Sequence, residues 1–302
     1  MSLSSHTPGR FHGVVPAMAT PFKDNGDLDE DRVLELIDWY LSCGVHGISV
    51  AGSQGEFFAL SEDEQIRLIE LAAQAIAGRV PLYAGTGGAT TRAATRITRA
   101  AERLNVDLAL VITPYFIQPN QQELVRHYCE VAASTSLPVM LYNNPPRTSV
   151  NVLPATLVAC MKQASNIVGI KDSSGDVTQA IEYKLSTQGK ALLFSGRDTI
   201  ALSMLLHGGD GTISPAANVF PVEMVRWYDA FRSGNLAEAR RLSDVFAPLR
   251  AAWAWGSFPV VIKEAMALVG KSAGPTRGPI NPLPDEKRAA LRQVVDTIRT
   301  QA

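Results

Sequence analysis

The chain is predicted to fold as a (β/α)8 TIM barrel with a C-terminal helical appendage, and three features of the sequence carry that prediction. Short apolar runs alternate with longer amphipathic runs, the pattern of βαβ units that build a parallel sheet. Eight strand candidates occur, each followed by a helix, which is the count for a closed barrel. From residue 233 onward the strand signal stops, and the surplus of a 302-residue chain over a barrel of about 250 falls in a helical tail.

The strand candidates are 14–19, 47–51, 81–84, 108–112, 138–142, 167–170, 191–194 and 211–213. Asp29 or Asp31 can cap the first helix, whose Val33, Leu36, Ile37 and Tyr40 form one apolar face. Ser61 followed three residues later by Glu64 is a capping box, and Ile66, Ile69, Leu71 and Ala75 follow at helical spacing. Further helices are expected at 90–104, 121–134, 154–161, 176–185, 198–206 and 219–231, with three more at 236–253, 258–269 and 285–298. The domain reading is a disordered or expression-derived N-terminus at 1–12, a barrel carrying the active site at 13–232 and a three-helix region at 233–302. A doubly wound sheet is the alternative, but its G-x-G-x-x-G fingerprint after the first strand is absent.

Composition excludes several classes. With 28 basic against 29 acidic residues the net charge is −1, which offers no electrostatic footprint for nucleic acid or anionic lipid. Cys43, Cys129 and Cys160 lack metal-ligand spacing and read as small buried hydrophobes in a reducing compartment. No apolar signal segment or membrane-length apolar run occurs, so a soluble, cytoplasmic protein is expected. His6, His12, His46, His127 and His207 are scattered, which disfavours a metal-dependent aldolase; His46 and His207 read as helix-end caps.

In such a barrel the chemistry sits at the C-terminal ends of the strands. Lys171 follows an apolar strand, where desolvation lowers an amine's pKa and frees it to attack a carbonyl as a Schiff-base nucleophile; a lysine paired with Asp172 is the equal alternative. Tyr142 ends the preceding strand and can relay protons with a hydroxyl such as Ser53 to orient it, or can close the barrel top with its hydroxyl bonded to backbone. The turn Gly52-Ser53-Gln54-Gly55 offers donors suited to a carboxylate, although such turns are common. Arg147 can clamp a second carboxylate or stand as a solvated loop arginine. Gly85 to Thr90 lacks the Gly-Lys-Ser/Thr ending of a phosphate cradle and reads as a helix entry.

Gly52-Ser53-Gln54-Gly55-Glu56, Tyr142-Asn143-Asn144-Pro145-Pro146-Arg147-Thr148 and Gly169-Ile170-Lys171-Asp172-Ser173-Ser174-Gly175 resemble, in order, the signature segments of the dihydrodipicolinate synthase and N-acetylneuraminate lyase superfamily. Gly211 to Ser214 and Pro259 to Lys263 also look familial. The resemblance implies a class I, Schiff-base aldolase or lyase, without metal or organic cofactor, and usually a homotetramer arranged as a dimer of dimers. Lys171 matches the family's Schiff-base lysine, Tyr142 its proton-relay tyrosine and Ser53 the hydroxyl beside it. Ser53 and Gln54 match the loop holding the carboxylate of the 2-oxo acid, the carbonyl of Ile213 lies near substrate, and Arg147 matches an arginine that contacts the second substrate.

Two departures bear on the reaction. The synthase branch generally has threonine at both positions Ser53 and Gln54, and tyrosine at Phe116, where it reaches into a neighbouring subunit's site. Phe116 has no proton to pass. The expectation is therefore a lyase, aldolase or dehydratase, that forms a lysine Schiff base with pyruvate or a related 2-oxo acid and acts on a 2-oxo-3-deoxy sugar acid or similar compound. The alternatives are 4-hydroxy-tetrahydrodipicolinate synthase, condensing pyruvate with aspartate semialdehyde, and a catalytically silent 2-oxo-acid sensor. Neither nucleic acid nor membrane is expected as a partner.

Overall fold

The computed structural model describes residues 9–302. Its elements alternate as β1 (Gly13–Pro16), α1 (Glu30–Ser42), β2 (Ile48–Val50), α2 (Glu62–Ile76), β3 (Leu82–Gly85), α3 (Thr91–Arg103), β4 (Leu108–Ile112), α4 (Gln121–Ala133) and β5 (Val139–Asn143). Then follow α5 (Pro145–Thr148), α6 (Pro154–Gln163), β6 (Ile167–Asp172), α7 (Val177–Ser186), β7 (Leu192–Ser195), α8 (Asp198–Leu206), β8 (Gly211–Ser214) and α9 (Pro221–Arg232). The chain ends in α10 (Leu236–Ala251), α11 (Val260–Leu268) and α12 (Asp285–Gln301).

All strand pairs are parallel, and β1 pairs β8. Closure between β1 and β2 rests on the single bridge Ala17–Ser49, with Met18 N donating to Ser49 O at 2.9 Å. This is a (β/α)8 barrel with helices appended at its C-terminus.

Side-chain alternation with a period of two sorts each strand between two cores. Leu108, Leu110 and Ile112 of β4 and Met140 and Tyr142 of β5 fill the barrel interior, while Ala109, Val111, Val139 and Leu141 face the helices. Between β5 and β6 the register slips: Val139 pairs Ile167 and Met140 pairs Gly169, leaving Val168 extra. Such a bulge re-aims the residues that follow it. It brings Tyr142 opposite Lys171. Gly169 permits it, since a Cβ there would stand 2.1 Å from Leu192 O of β7.

The caps form where expected. Asp29 accepts from Arg32 N, and Ser61 and Glu64 complete a capping box. The segment after β5 that carries Arg147, expected as a loop, is a one-turn helix, because prolines at its first two positions carry a φ already suited to a helix and no N–H to satisfy. His46 does not cap a helix: its Nδ1 accepts from Val14 N at 3.2 Å, and its ring meets His12 and Tyr228 across the barrel floor. His207 does sit at the C-terminus of α8, its Nδ1 2.8 Å from Ser203 O. Of the N-terminal stretch 1–12, residues 1–8 lie outside the described residues; Phe11 packs edge-on to Tyr83 beneath the barrel. Among the described residues no helix is long and apolar enough to cross a membrane.

Candidate active site

Lys171 and Tyr142 are opposite each other on adjacent strands, and Lys171 Nζ lies 4.1 Å from the centre of the Tyr142 ring. Both are buried at the barrel mouth. The ion-paired lysines among the described residues are Lys184 and Lys263, not Lys171. Asp172, the carboxylate that could have paired with Lys171, instead accepts from Asn143 Nδ2 at 2.7 Å and Ser174 Oγ at 2.6 Å. Burial therefore pulls the Lys171 ammonium below its usual value, opposed in part by Tyr142 and Asp198.

Burial alone would raise the Tyr142 phenol. The adjacent Lys171 charge, with hydrogen bonding from Ser53, Ser173 and Asn144, outweighs it and brings the phenol below its ordinary value. Its oxygen accepts from Asn144 Nδ2 at 2.9 Å, so the phenol is oriented by a side chain rather than by backbone. A lysine and a phenol side by side, both drawn below their ordinary values, make a pair that can exchange a proton.

Gly196, just after β7, lets the lysine lie where it does. A Cβ at that position would stand 1.9 Å from Ser173 Oγ and 3.1 Å from Lys171 Cε.

The turn after β2 brings Ser53 and Gln54 to the same mouth, both almost fully buried. Among the described residues both amide atoms of Gln54 lack a hydrogen-bond partner, and Ser53 Oγ, though near enough to influence Tyr142, makes no hydrogen bond of good geometry. Each such buried polar atom costs about 1–3 kcal/mol. Polar atoms kept dry and unpaired beside a nucleophilic amine suit the carboxylate of a small acid.

The cavity over Lys171 is lined by Gln54, Tyr142, Asn144, Arg147, Ser173 and Arg197, together with Arg250, Trp253 and Phe258 of the C-terminal region. Arg147, at the end of α5, stands with its guanidinium carbon 4.4 Å above the Phe258 ring. Ser53 borders a neighbouring cleft that shares Arg147 and Phe258. Ile213 is buried inside the barrel with Tyr142 and is not among the residues lining the cavity. Phe116 is not brought to the cavity either: it is 92% exposed, on a backbone φ of +75°.

Sequence reasoning had no role for Asn144, Ser173, Gly196 or Arg197, although each lies within two residues of a strand's end. Arg250, Trp253 and Phe258 had no local signal, since only the packing of the tail onto the mouth places them. Among the described residues no cluster of three or more His, Cys, Asp or Glu side chains is placed to hold a metal ion.

Residues 10–298 match the model of the dihydrodipicolinate synthetase family. The chain belongs to that family. A 4-hydroxy-tetrahydrodipicolinate synthase of Methanoculleus marisnigri is 41% identical over 288 residues, covering 94% of this chain and 98% of the relative. One from Thermodesulfovibrio yellowstonii is 38% identical over 285 residues, covering 94% and 97%. Among solved structures, the chloride-inhibited dihydrodipicolinate synthase of Acinetobacter baumannii complexed with pyruvate is 33% identical, with a TM-score of 0.91 over 96% of this chain and 99% of that one. A prophage protein of the same family from E. coli K12, in complex with pyruvate, is 31% identical with a TM-score of 0.92 over 96% and 99%. The family's chemistry runs through a lysine imine with pyruvate and uses neither metal nor organic cofactor, so the chain is a class I Schiff-base lyase.

Proposed function

We propose that Lys171 condenses with the keto group of pyruvate and that the resulting enamine attacks the aldehyde of aspartate semialdehyde, the reaction of a 4-hydroxy-tetrahydrodipicolinate synthase. The names of the relatives favour this over the sugar-acid aldolase that the sequence suggested. The observation that carries the chemistry is a buried lysine with no carboxylate partner, against a phenol that can take and return its protons. Ser53 and Gln54 hold the pyruvate carboxylate, the Ile213 carbonyl lies near the bound acid, and Arg147 meets the carboxylate of the aldehyde. Tyr142 protonates the carbinolamine hydroxyl as water leaves and then accepts a proton as the enamine forms.

Borohydride in the presence of pyruvate should fix a three-carbon adduct on the peptide containing Lys171, and untreated enzyme, without borohydride, should consume aspartate semialdehyde stoichiometrically with pyruvate. Binding without a trapped imine would favour the silent sensor. Trapping without consumption of aspartate semialdehyde would favour the second reading, cleavage or dehydration of a 2-oxo-3-deoxy sugar acid. Gln54 and Phe116 are the residues that support that second reading, because the one is bulkier than a hydroxyl residue and the other has no hydroxyl to pass a proton.

The assembly we propose is a homotetramer built through the tip at Phe116. Phe116 and Ile117 are 92% and 63% exposed, and phenylalanine at positive φ is strained, a cost that a fixed contact offsets.

A further inference from the structure

Three guanidiniums converge on the cavity over Lys171: Arg147, Arg197 and Arg250. Among the described residues none of the three forms an ion pair, in contrast to Arg67, Arg277 and Arg288, which are tied to carboxylates. They are held by neutral groups instead. Arg197 Nε donates to Ser173 O at 2.9 Å, and its guanidinium lies so close over Gly175 that a Cβ there would stand 2.7 Å from Nη1. The Arg250 guanidinium carbon is 3.9 Å above the Trp253 ring. Asp198, the carboxylate that acts on Arg250, is itself engaged by Ser214 Oγ and by Ala216 N at 3.3 Å.

Desolvation lowers the ionisation of Arg147 and Arg250, and the charge of Arg197 adds to this for both. Such an arrangement is orientation without neutralisation. One acid group bound by the Ser53–Gln54 turn does not account for it, whereas a second carboxylate standing among the three would neutralise them together. Guanidiniums offer only donors in a planar fork, so they select a group that only accepts, and a carboxylate fits them better than a neutral polyol chain.

We propose that Arg197 and Arg250 complete, with Arg147, a second anion subsite at the cavity mouth, clamping the far carboxylate of a 2-oxo dicarboxylate whose keto carbon is bound to Lys171. The imine half rests on the reading of Lys171 given above. The subsite deepens that reading, because the adduct of pyruvate with aspartate semialdehyde is itself a seven-carbon 2-oxo dicarboxylate while attached to the lysine. The same subsite would serve any adduct that ends in a carboxylate.

The test compares 2-oxoheptanedioate with 2-oxooctanoate, which has a longer chain but no far charge, in borohydride trapping on Lys171. The readout is the ratio of the two half-trapping concentrations within one protein, so a general loss of competent sites cancels. The wild type should favour the dicarboxylate by about tenfold or more, and Arg197→Gln and Arg250→Gln should each bring the ratio toward one. A ratio near one in the wild type overturns the subsite, as does a preference abolished by Arg147→Gln and untouched by the other two. Calorimetry with heptanedioate against heptanoate reads the subsite without an imine. If neither pyruvate nor the longer acids trap while calorimetric selectivity persists and falls in Arg197→Gln and Arg250→Gln, the lysine reading fails and the subsite stands.

Discussion

Lys171 Nζ rests 4.1 Å from the centre of the Tyr142 ring, and among the described residues Lys171 forms no ion pair with a carboxylate. The pair sets its own pH behaviour. An ordinary lysine is half deprotonated at 10.5, and burial draws Lys171 below that value while Tyr142 holds it up in part. The free amine is the attacking form, so the rate of imine trapping should rise with pH and level off at the folded-state pKa, below 10.5. Tyr142→Phe removes the group that raises the lysine, so the plateau should be reached at still lower pH while steady-state turnover falls by about 10² to 10⁴. Stopped-flow trapping across pH checks both, and a plateau at or above the ordinary lysine value would refute the desolvation argument.

Gly196→Ala tests how that lysine is placed. The new methyl would collide with Ser173 Oγ and press on Lys171 Cε, so the amine must shift. A misplacement of about 1 Å costs about a hundredfold in rate. Trapping should therefore slow by that order while the circular dichroism of the barrel is retained, and an unchanged rate would mean that the lysine shaft takes no guidance from this glycine.

How much of this was legible in the residues depended on range. The alternation of strand and helix is a local signal, and so were the strand-end positions of Lys171, Tyr142 and Ser53. The bulge that places Tyr142 opposite Lys171 left only Gly169 as a trace, because what requires glycine there is the close approach of the Leu192 carbonyl on another strand. Arg250 lies 79 residues beyond Lys171 on a helix of ordinary composition, and only tertiary packing brings it over the cavity. The alternative of a Lys171–Asp172 pair could not be dismissed locally, since what removes it is the prior commitment of Asp172 to Asn143 and Ser174.

Gln54→Leu should separate stability from binding. The native amide is buried with neither atom partnered, so a side chain of similar size without polar atoms should stabilise the fold by about 1 kcal/mol, visible as a higher urea midpoint. The same change removes donors from the 2-oxo acid, and the pyruvate concentration for half-trapping should rise by about tenfold. Lower stability together with unchanged trapping would remove Gln54 from carboxylate recognition.

Phe116→Asp addresses assembly. The ring is 92% exposed in the single chain, so replacing it leaves the barrel's own packing intact. If the tip is an interface between copies, a buried charge there is costly and sedimentation should show smaller species at micromolar concentration. Identical sedimentation of the two proteins would exclude this loop from the contact.

Glu56 and Lys263 form a buried ion pair at 2.6 Å, joining the turn that carries Gln54 to α11. Burial pulls Lys263 down to about 8 despite the opposing effect of Glu56, which leaves the amine mostly charged at neutral pH. Lys263 Nζ also donates to Pro275 O at 2.7 Å, and Glu56 Oε2 accepts from Arg277 N at 3.0 Å, so three segments meet at one pair. Removing either partner leaves a buried charge uncompensated, and Glu56→Gln or Lys263→Met should each destabilise by about 3–5 kcal/mol. The double variant Glu56→Leu with Lys263→Met should cost well under the sum, since it leaves no orphaned charge. Because Glu56 lies two residues beyond Gln54, the single variants should also weaken pyruvate trapping at temperatures where they remain folded. Additive losses in the cycle, with trapping untouched, would reduce the pair to an ordinary packing contact without influence on the turn.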